Sequence, residues 1–355
     1  MVSVAGSAAP RLGVVGLKMG LHLADWAERV GFQIAACCDL APGALSDAQA
    51  RFPAAMLTSR WQDLFRAGLD GVILANDFDA HAPLAMDFLA RGIHVLSESA
   101  ACVNESQGRE LIDAARTSTA TYSLAENYVV HPHVRLIDSM VQRQEIGRVQ
   151  LIEADYLHSL SPELVSQLIK DPSHWRGRIA PTAYCTHTVS PILAITGADP
   201  VDVTAFTVDE NDPRSAVVLM IRLSTGALAV ARHGFLQGEP ASHWSWVSAR
   251  GERGIVESVR ASAERSWSVR VKREEWTGTY VEAEKVPPHI QLSGTTIDRK
   301  HEGTVLLLQA FRSTIVDGAP PLVNVRDAVA ASLVGVLGGR SLELGSVPVA
   351  IPSFT

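Results

Sequence analysis

The stretch RLGVVGLKMGLHLADWAERVGFQIAACCDL, residues 11–40, constrains the fold more than any other part of the chain. An apolar run from Leu12 to Val15 meets Gly16, an amphipathic segment follows, and a second apolar run ends at Asp39. Strand, glycine turn, helix and strand in this order open a doubly wound α/β sheet. The alternation continues through the first third of the chain. Apolar runs predict strands at 12–16, 33–38, 71–75, 93–97 and 121–125. Helical segments are predicted between them at 20–30, 43–51, 61–67, 81–91 and 105–115. Units of this kind in series require a parallel sheet with helices on both faces and right-handed crossovers.

After residue 126 the periodicity changes. A helix at about 132–144 precedes period-2 runs such as VQLIEADYLH, PVDVTAFTV and SAVVLMIRLSTGALAVARH, the last with a hairpin around Thr225 and Gly226. Two late helices are predicted at about 304–316 and 325–338. The expected architecture is two-domain α/β: an N-terminal Rossmann doubly wound parallel sheet, then an α/β domain with a large, mostly antiparallel open sheet. The boundaries read as a disordered start at 1–10, a nucleotide-binding domain at 11–126, and a substrate and oligomerisation domain at 127–355. A chain of 355 residues is long enough to bury a core in each.

Composition narrows the partners. A net charge of −7 argues against nucleic acid or an anionic membrane, and no apolar run reaches the roughly 18 residues of a membrane span. The opening MVSVAGSAAP has neither a basic nor a leucine-rich region, so no export signal is read there. The four cysteines, Cys37, Cys38, Cys102 and Cys185, lack metal-ligand spacing. Reduced thiols in a cytoplasmic protein, and no metal, are the expectation.

In a dinucleotide-binding turn, the first glycine permits a tight bend and the next lets backbone approach the pyrophosphate at the helix N-terminus. Here Gly16 follows the strand and Gly20 opens the predicted helix, but G-L-K-M-G is one residue shorter than the usual loop. Lys18 and Met19 fall inside it. Lys18 either faces the pyrophosphate or points to water. Asp39 ends the next strand, placed to hold the ribose hydroxyls. The sequence DLAPGA supplies no cation for a 2′-phosphate, so NAD is favoured over NADP.

The order of motifs over about residues 11–350 resembles the Gfo/Idh/MocA oxidoreductases. VILANDFDAHAPLAMDFLARGIHVLSE is similar to the family's fourth-strand stretch, which implies Asn76 and His81 beside the cofactor and a glutamate at Glu98. Ser99 stands where most members carry a lysine. LAENY, EADYLHSL and HWRGRIAPTAYCTHTVSP resemble the branch that includes the NAD-dependent α-N-acetylgalactosaminidases, which also lack that lysine. The resemblance implies functional positions at Glu126, Tyr156, His158, Tyr184 and His187, with Asn127 beside the cofactor. Ser159 and Thr188 replace an aspartate and a glycine of that branch.

Hydride transfer needs a bound nicotinamide, a carbinol hydrogen aimed at it and a base for the hydroxyl proton. Tyr156 and His158 share one face of a strand, as a lined pocket or as a half-exposed pair. His187 precedes an apolar helix whose dipole would disfavour its protonation, leaving a neutral base; the bland reading is a packing residue near the cap. Arg176 after Trp175 reads either as an anion clamp or, more simply, as a structural salt bridge. Trp244 and Trp246 read as sheet packing, and His131 and His133 as solvated.

Three functions follow in order. The first is an NAD-dependent oxidoreductase acting on a secondary hydroxyl of a sugar, glycoside or cyclitol, with His187 as base, Tyr156 and Tyr184 on the oxygen, and His158 and Glu126 on neighbouring hydroxyls. The second is a glycoside hydrolase using the same hydride step without net redox change. The third is a non-catalytic NAD or sugar sensor. A homodimer or homotetramer is expected, without nucleic acid or membrane partners.

Overall fold

The computed structural model describes residues 8–235, 245–274 and 280–354. Trp244 and residues 1–7 of the expected disordered start lie outside them. The chain divides into two compact units. The first runs to Glu98 and takes in Glu110–Ala125 and Thr304–Val325; the second comprises Ser99–Arg109, Glu126–Gly303 and Arg326–Thr355.

The first unit carries six parallel strands: β1 (Arg11–Val15), β2 (Gln33–Cys38), β3 (Met56–Thr58), β4 (Gly71–Leu74), β5 (His94–Ser97) and β6 (Tyr122–Leu124). Their order is β3-β2-β1-β4-β5-β6, the doubly wound arrangement with its reversal point between β1 and β4. Leu12, Val14, Ile73, Leu74, Val95 and Leu96 are wholly buried, as strands covered on both faces require. Helices α1 (Leu17–Arg29), α2 (Pro42–Arg51), α3 (His81–Leu89) and α4 (Glu105–Thr117) follow the predicted alternation. Two details differ. The predicted helix at 61–67 is a 3₁₀ helix, Trp61–Arg66, and β3 has only three residues, too few to show a period. The sequence reading placed one cut near residue 126, whereas Thr304–Val325 belongs with the first sheet. Its Phe311 is buried and packs on Phe32 with ring centroids 6.0 Å apart.

In the second unit, α5 (Pro132–Gln142) leads to β7 (Val149–Leu157). Two four-residue helices follow, α6 (Pro162–Val165) and α7 (Trp175–Arg178), then α8 (Thr186–Thr196). Strands β8 (Pro200–Thr207), β9 (Ala216–Leu223), β10 (Leu228–Gly234), β11 (Ser245–Gly251), β12 (Gly254–Ser258), β13 (Val269–Glu274) and β14 (Tyr280–Lys285) form the larger sheet. A short hairpin, β15 (Gln291–Leu292) with β16 (Thr295–Thr296), precedes α9 (Arg299–Asp317) and α10 (Val325–Glu343); β17 (Val349–Ala350) closes the sheet. Nine strands run β14-β13-β12-β11-β7-β10-β9-β8-β17, antiparallel except for β7 beside β10. The hairpin at Thr225 and Gly226 forms as predicted, with Gly226 at φ 83° and the Leu223 N–H donating to Ala227 O at 3.0 Å.

One face of this sheet is covered: α8 packs on β7, and α5 on α8. On the other face Phe206 and Met220 are exposed, so it is open as expected. Among the described residues no helix is long and apolar enough to cross a membrane.

Candidate active site

The candidate cofactor turn lies in the first unit. Gly16 takes φ 83°, and a Cβ there would lie 2.4 Å from the Ala75 carbonyl oxygen. Only glycine makes this turn. The bend is so tight that α1 begins at Leu17, three residues before the predicted start, so Lys18 and Met19 stand exposed on its first turn. Gly20 is therefore a packing glycine inside the helix, where a Cβ would meet the Val14 side chain at 2.7 Å. The Asp39 carboxylate accepts from Leu17 N at 2.7 Å and from Ala41 N at 2.8 Å, which fixes it beside the helix start with lone pairs left over.

Across the reversal point, the Asn76 side-chain nitrogen donates to Asp77 O at 3.1 Å, while its buried Oδ1 has no partner. His81 is buried and its Nε2 sits 3.0 Å from the Asn76 carbonyl, so it holds that turn in place. Glu98 follows β5, half-buried, with its N–H donating to Leu74 O at 2.8 Å. A glycine cradle, a helix start with no acidic residue in its first turn, an oriented carboxylate and an orphaned amide oxygen suit a dinucleotide.

The proton-handling end belongs to the second unit and is a continuous chain of hydrogen bonds. The wholly buried Glu126 carboxylate meets His187 Nδ1 at 2.9 Å and accepts from Ser99 Oγ at 3.3 Å and Tyr128 N at 3.3 Å. Thr186 Oγ1 donates to Ser99 Oγ at 2.9 Å. On its other side, His187 Nε2 lies 3.2 Å from the Tyr184 hydroxyl. Aromatic rings enclose the imidazole: Tyr128 stacks on it at 4.5 Å between centroids, Tyr156 lies at 4.8 Å, and Tyr184 meets it edge-on at 5.0 Å. His158 stands at the rim, 6.1 Å from the Tyr156 ring, with Nδ1 on its neighbour's carbonyl at 3.1 Å. Asn127 is half-buried next to Glu126.

Glu126, Tyr156, Tyr184 and His187 thus come together as the motifs implied. Ser99 joins them as a buried link to Glu126. Tyr128 and Thr186 went unnoticed, although both sit inside quoted motifs; nothing in one sequence marks a ring as a stacking partner.

Electrostatics overturn the expectation of a neutral His187. Burial alone would lower its pKa, but the Glu126 carboxylate, with Tyr184, raises it from 6.5 to about 10. A hydrogen-bonded, buried carboxylate outweighs the partial charge of a helix end. Burial, followed by the neighbouring Tyr184 and Tyr128, pushes the Tyr156 phenol well above its ordinary value. His131 and His133 are also corrected. Both are buried, His131 against the Tyr128 ring with centroids 4.2 Å apart and His133 bonded to Ser245 Oγ at 3.1 Å, because the start of α5 faces inward. Trp246 lies on the outer side of the sheet, with Arg260 4.2 Å from its ring centroid.

The loop carrying Tyr184 is held by α10. Thr182 Oγ1 donates to Gly335 O at 2.7 Å, and a Cβ on Gly335 would lie 2.7 Å from Thr182 O. Gly335→Val is therefore expected to cost about 1–3 kcal/mol in stability and to lower kcat, with the NAD dissociation constant unchanged. Thermal melts and a cofactor titration check both halves.

Residues 12–125 match the family model described as the homoserine dehydrogenase NAD-binding domain. Across 98% of this chain and 100% of that one, the fold superposes on a levoglucosan dehydrogenase solved with NADH and L-sorbose, at TM-score 0.82 and 17% identity. The chain has the fold of the NAD-binding oxidoreductases. A scyllo-inositol dehydrogenase from Lactobacillus casei shares this oxidoreductase fold at TM-score 0.76 and 15% identity, over 97% of this chain and 99% of that one. In sequence, the chain is similar to an alpha-N-acetylgalactosaminidase from Bacteroides fragilis, 23% identical over 97% of this chain and 92% of that protein. A glycosyl hydrolase family 109 protein from Stenotrophomonas maltophilia is 29% identical over 42% of this chain and 36% of its own length. The resemblance read from the motifs holds.

Proposed function

We propose that the chain is an NAD-dependent oxidoreductase that moves a hydride to or from a secondary hydroxyl of a sugar, glycoside or cyclitol. The observation that carries this reading is the chain from Glu126 through His187 to the Tyr184 hydroxyl. Bound NAD supplies the hydride acceptor or donor. Asp39 would hold the adenosine ribose, and Gly16 with the start of α1, Lys18 and Met19 the pyrophosphate, while Gly20 lets α1 pack on β1; Asn76, His81, Glu98, Ser99 and Asn127 complete the cofactor residues of this reading.

In the oxidation direction, the substrate hydroxyl gives its proton to the Tyr184 oxygen as the Tyr184 proton passes to neutral His187 Nε2. His187 Nδ1–H stays on the Glu126 carboxylate, which stabilises the imidazolium that forms. In reduction the imidazolium returns the proton by the same route. Tyr156, kept protonated by burial, donates to the same oxygen, and His158 binds a neighbouring hydroxyl. In this reading residues 11–126 serve the cofactor and 127–355 substrate and oligomerisation, apart from Thr304–Val325, which packs with the first unit, and Glu126 and Ser99–Arg109, which belong to the second. A cytoplasmic homodimer or homotetramer formed through the open sheet face is part of it, supported by four free, buried cysteines and by exposed Phe206 and Met220. A light-scattering mass of one chain would contradict the oligomer.

The similarity to the Bacteroides fragilis glycosidase favours a second reading, a redox-neutral hydrolase. Oxidation at C3 of the sugar acidifies the C2 hydrogen, a base removes it, the aglycone leaves by elimination, water adds, and the ketone is reduced again. An aryl glycoside supplied with NAD separates the two. NADH accumulating in proportion to substrate is the expected result; aglycone release without net NADH establishes the hydrolase instead. NAD binding with no turnover of any sugar would return the sensor reading.

A further inference from the structure

We propose that the substrate carries an oxyanion, and that Arg176 reads it beside the reacting hydroxyl. This rests on the oxidoreductase reading and adds the class of sugar. The guanidinium of Arg176 lies 4.2 Å from the Trp175 ring centroid and 5.4 Å from that of Tyr184, the same tyrosine that meets His187. The sequence reading favoured a salt bridge for this arginine, but among the described residues it pairs with no carboxylate. The acids nearby are already engaged: Asp212 with Lys170 at 2.8 Å, Asp171 with Ser173 N at 2.8 Å, and Glu126 with His187 at 2.9 Å.

Arg176 and Tyr184 line a solvent-open cleft together with Arg214, His233 and Phe235. Arg214 also has no carboxylate partner among the described residues. It donates instead to the carbonyls of Ile169 at 3.0 Å, Arg176 at 2.7 Å and Ile179 at 2.7 Å, so it fixes the backbone that presents Arg176. Burial pushes His233 down to about 4, leaving it neutral at pH 7. The cleft therefore carries two guanidinium charges that no acid of its lining offsets.

Held against the rings of Trp175 and Tyr184, the Arg176 guanidinium is a planar fork of N–H donors, suited to grip a carboxylate or phosphate through two parallel hydrogen bonds. The positive field of a second, half-buried arginine strengthens that grip. A neutral sugar would leave the paired donors to water. A sugar bearing a carboxylate or a phosphate, a few bonds from the carbinol carbon, would satisfy them.

The test uses the full chain with NAD and three forms of one hexose glycoside: neutral, uronate and 6-phosphate. At least one charged form is expected to exceed the neutral parent in kcat/KM by about 100-fold, the uronate and phosphate arms telling the two sources apart. Arg176→Met is expected to bring that ratio close to one, and Arg176→Lys to restore part of it for phosphate only. Equal kcat/KM for charged and neutral forms, or a ratio that survives Arg176→Met, overturns the proposal. If no form is turned over, the oxidoreductase reading fails and calorimetry decides the anion site separately. Binding of a uronate or phosphate glycoside by the wild-type chain but not by Arg176→Met supports the site; no binding, or equal binding, overturns it.

Discussion

Replacing Glu126 by glutamine is expected to move the titration of His187 from about 10 to about 6.5 or lower, because the largest upward influence is gone and burial is then opposed only by Tyr184. The consequence for rate has a definite sign in each direction. In the wild-type chain, reduction needs the imidazolium and holds its rate until the pH passes about 10, whereas oxidation needs neutral His187 and climbs toward that pH. In Glu126→Gln the reduction rate falls away above pH 6.5. At pH 8 the loss of protonated imidazole alone lowers reduction by about thirty-fold or more. Stability follows the same linkage. A folded-state pKa raised above 6.5 contributes stability that is fully present below pH 6.5 and is lost as the pH rises through about 10. Melting temperatures of the wild-type chain should fall through that window more steeply than those of Glu126→Gln. Rate profiles in both directions, with melts at the same pH values, check the prediction. A profile unmoved by the substitution would detach Glu126 from His187.

The other large effect belongs to the cofactor turn. Gly16→Ala places a Cβ 2.4 Å from the Ala75 oxygen at φ 83°, so strain and overlap act together. Left-handed backbone costs a non-glycine residue roughly 1–2 kcal/mol, and forced displacement of packed backbone about 1–3 kcal/mol more. The turn must open, carrying the start of α1 away from the phosphates. NAD affinity is expected to fall by about 100-fold, equivalent to roughly 3 kcal/mol, with a melting temperature lower by roughly 5–15 °C. Gly43→Ala is the matched control: it sits on α2 with nothing within 4 Å of the added methyl, and should change neither quantity. A cofactor titration of both variants is sufficient.

What could be read from the sequence follows from how local each feature is. Five of the six strands of the first sheet were legible because each carries a short, mainly apolar run, whereas the three residues of β3 were not; the hairpin at Gly226 was legible because its two partners are adjacent. The start of α1 was misplaced by three residues, since the turn at Gly16 is set by contact with Ala75, some sixty residues away. The return of Phe311 to the first unit and the fit of Gly335 against Thr182 are likewise distant contacts that leave no local period. At the site, residue types were legible and their electrostatics were not. The helix end beside His187 lies in the adjacent sequence, while the carboxylate that outweighs it arrives from Glu126 through a hydrogen bond formed only on folding. The same holds for His131 and His133, polar in isolation and buried once α5 docks.

Proton transfer by His187 coupled to reduction of NAD is the central step. Single-turnover mixing of an NAD-loaded chain with a sugar substrate, following the near-ultraviolet absorbance of NADH, tests it most directly. The wild-type chain should form NADH in one phase, and His187→Ala should bind NAD within a few-fold of wild type yet form NADH at least about 100-fold more slowly. A chain that does not bind NAD, or an alanine variant that forms NADH at the wild-type rate, would contradict it.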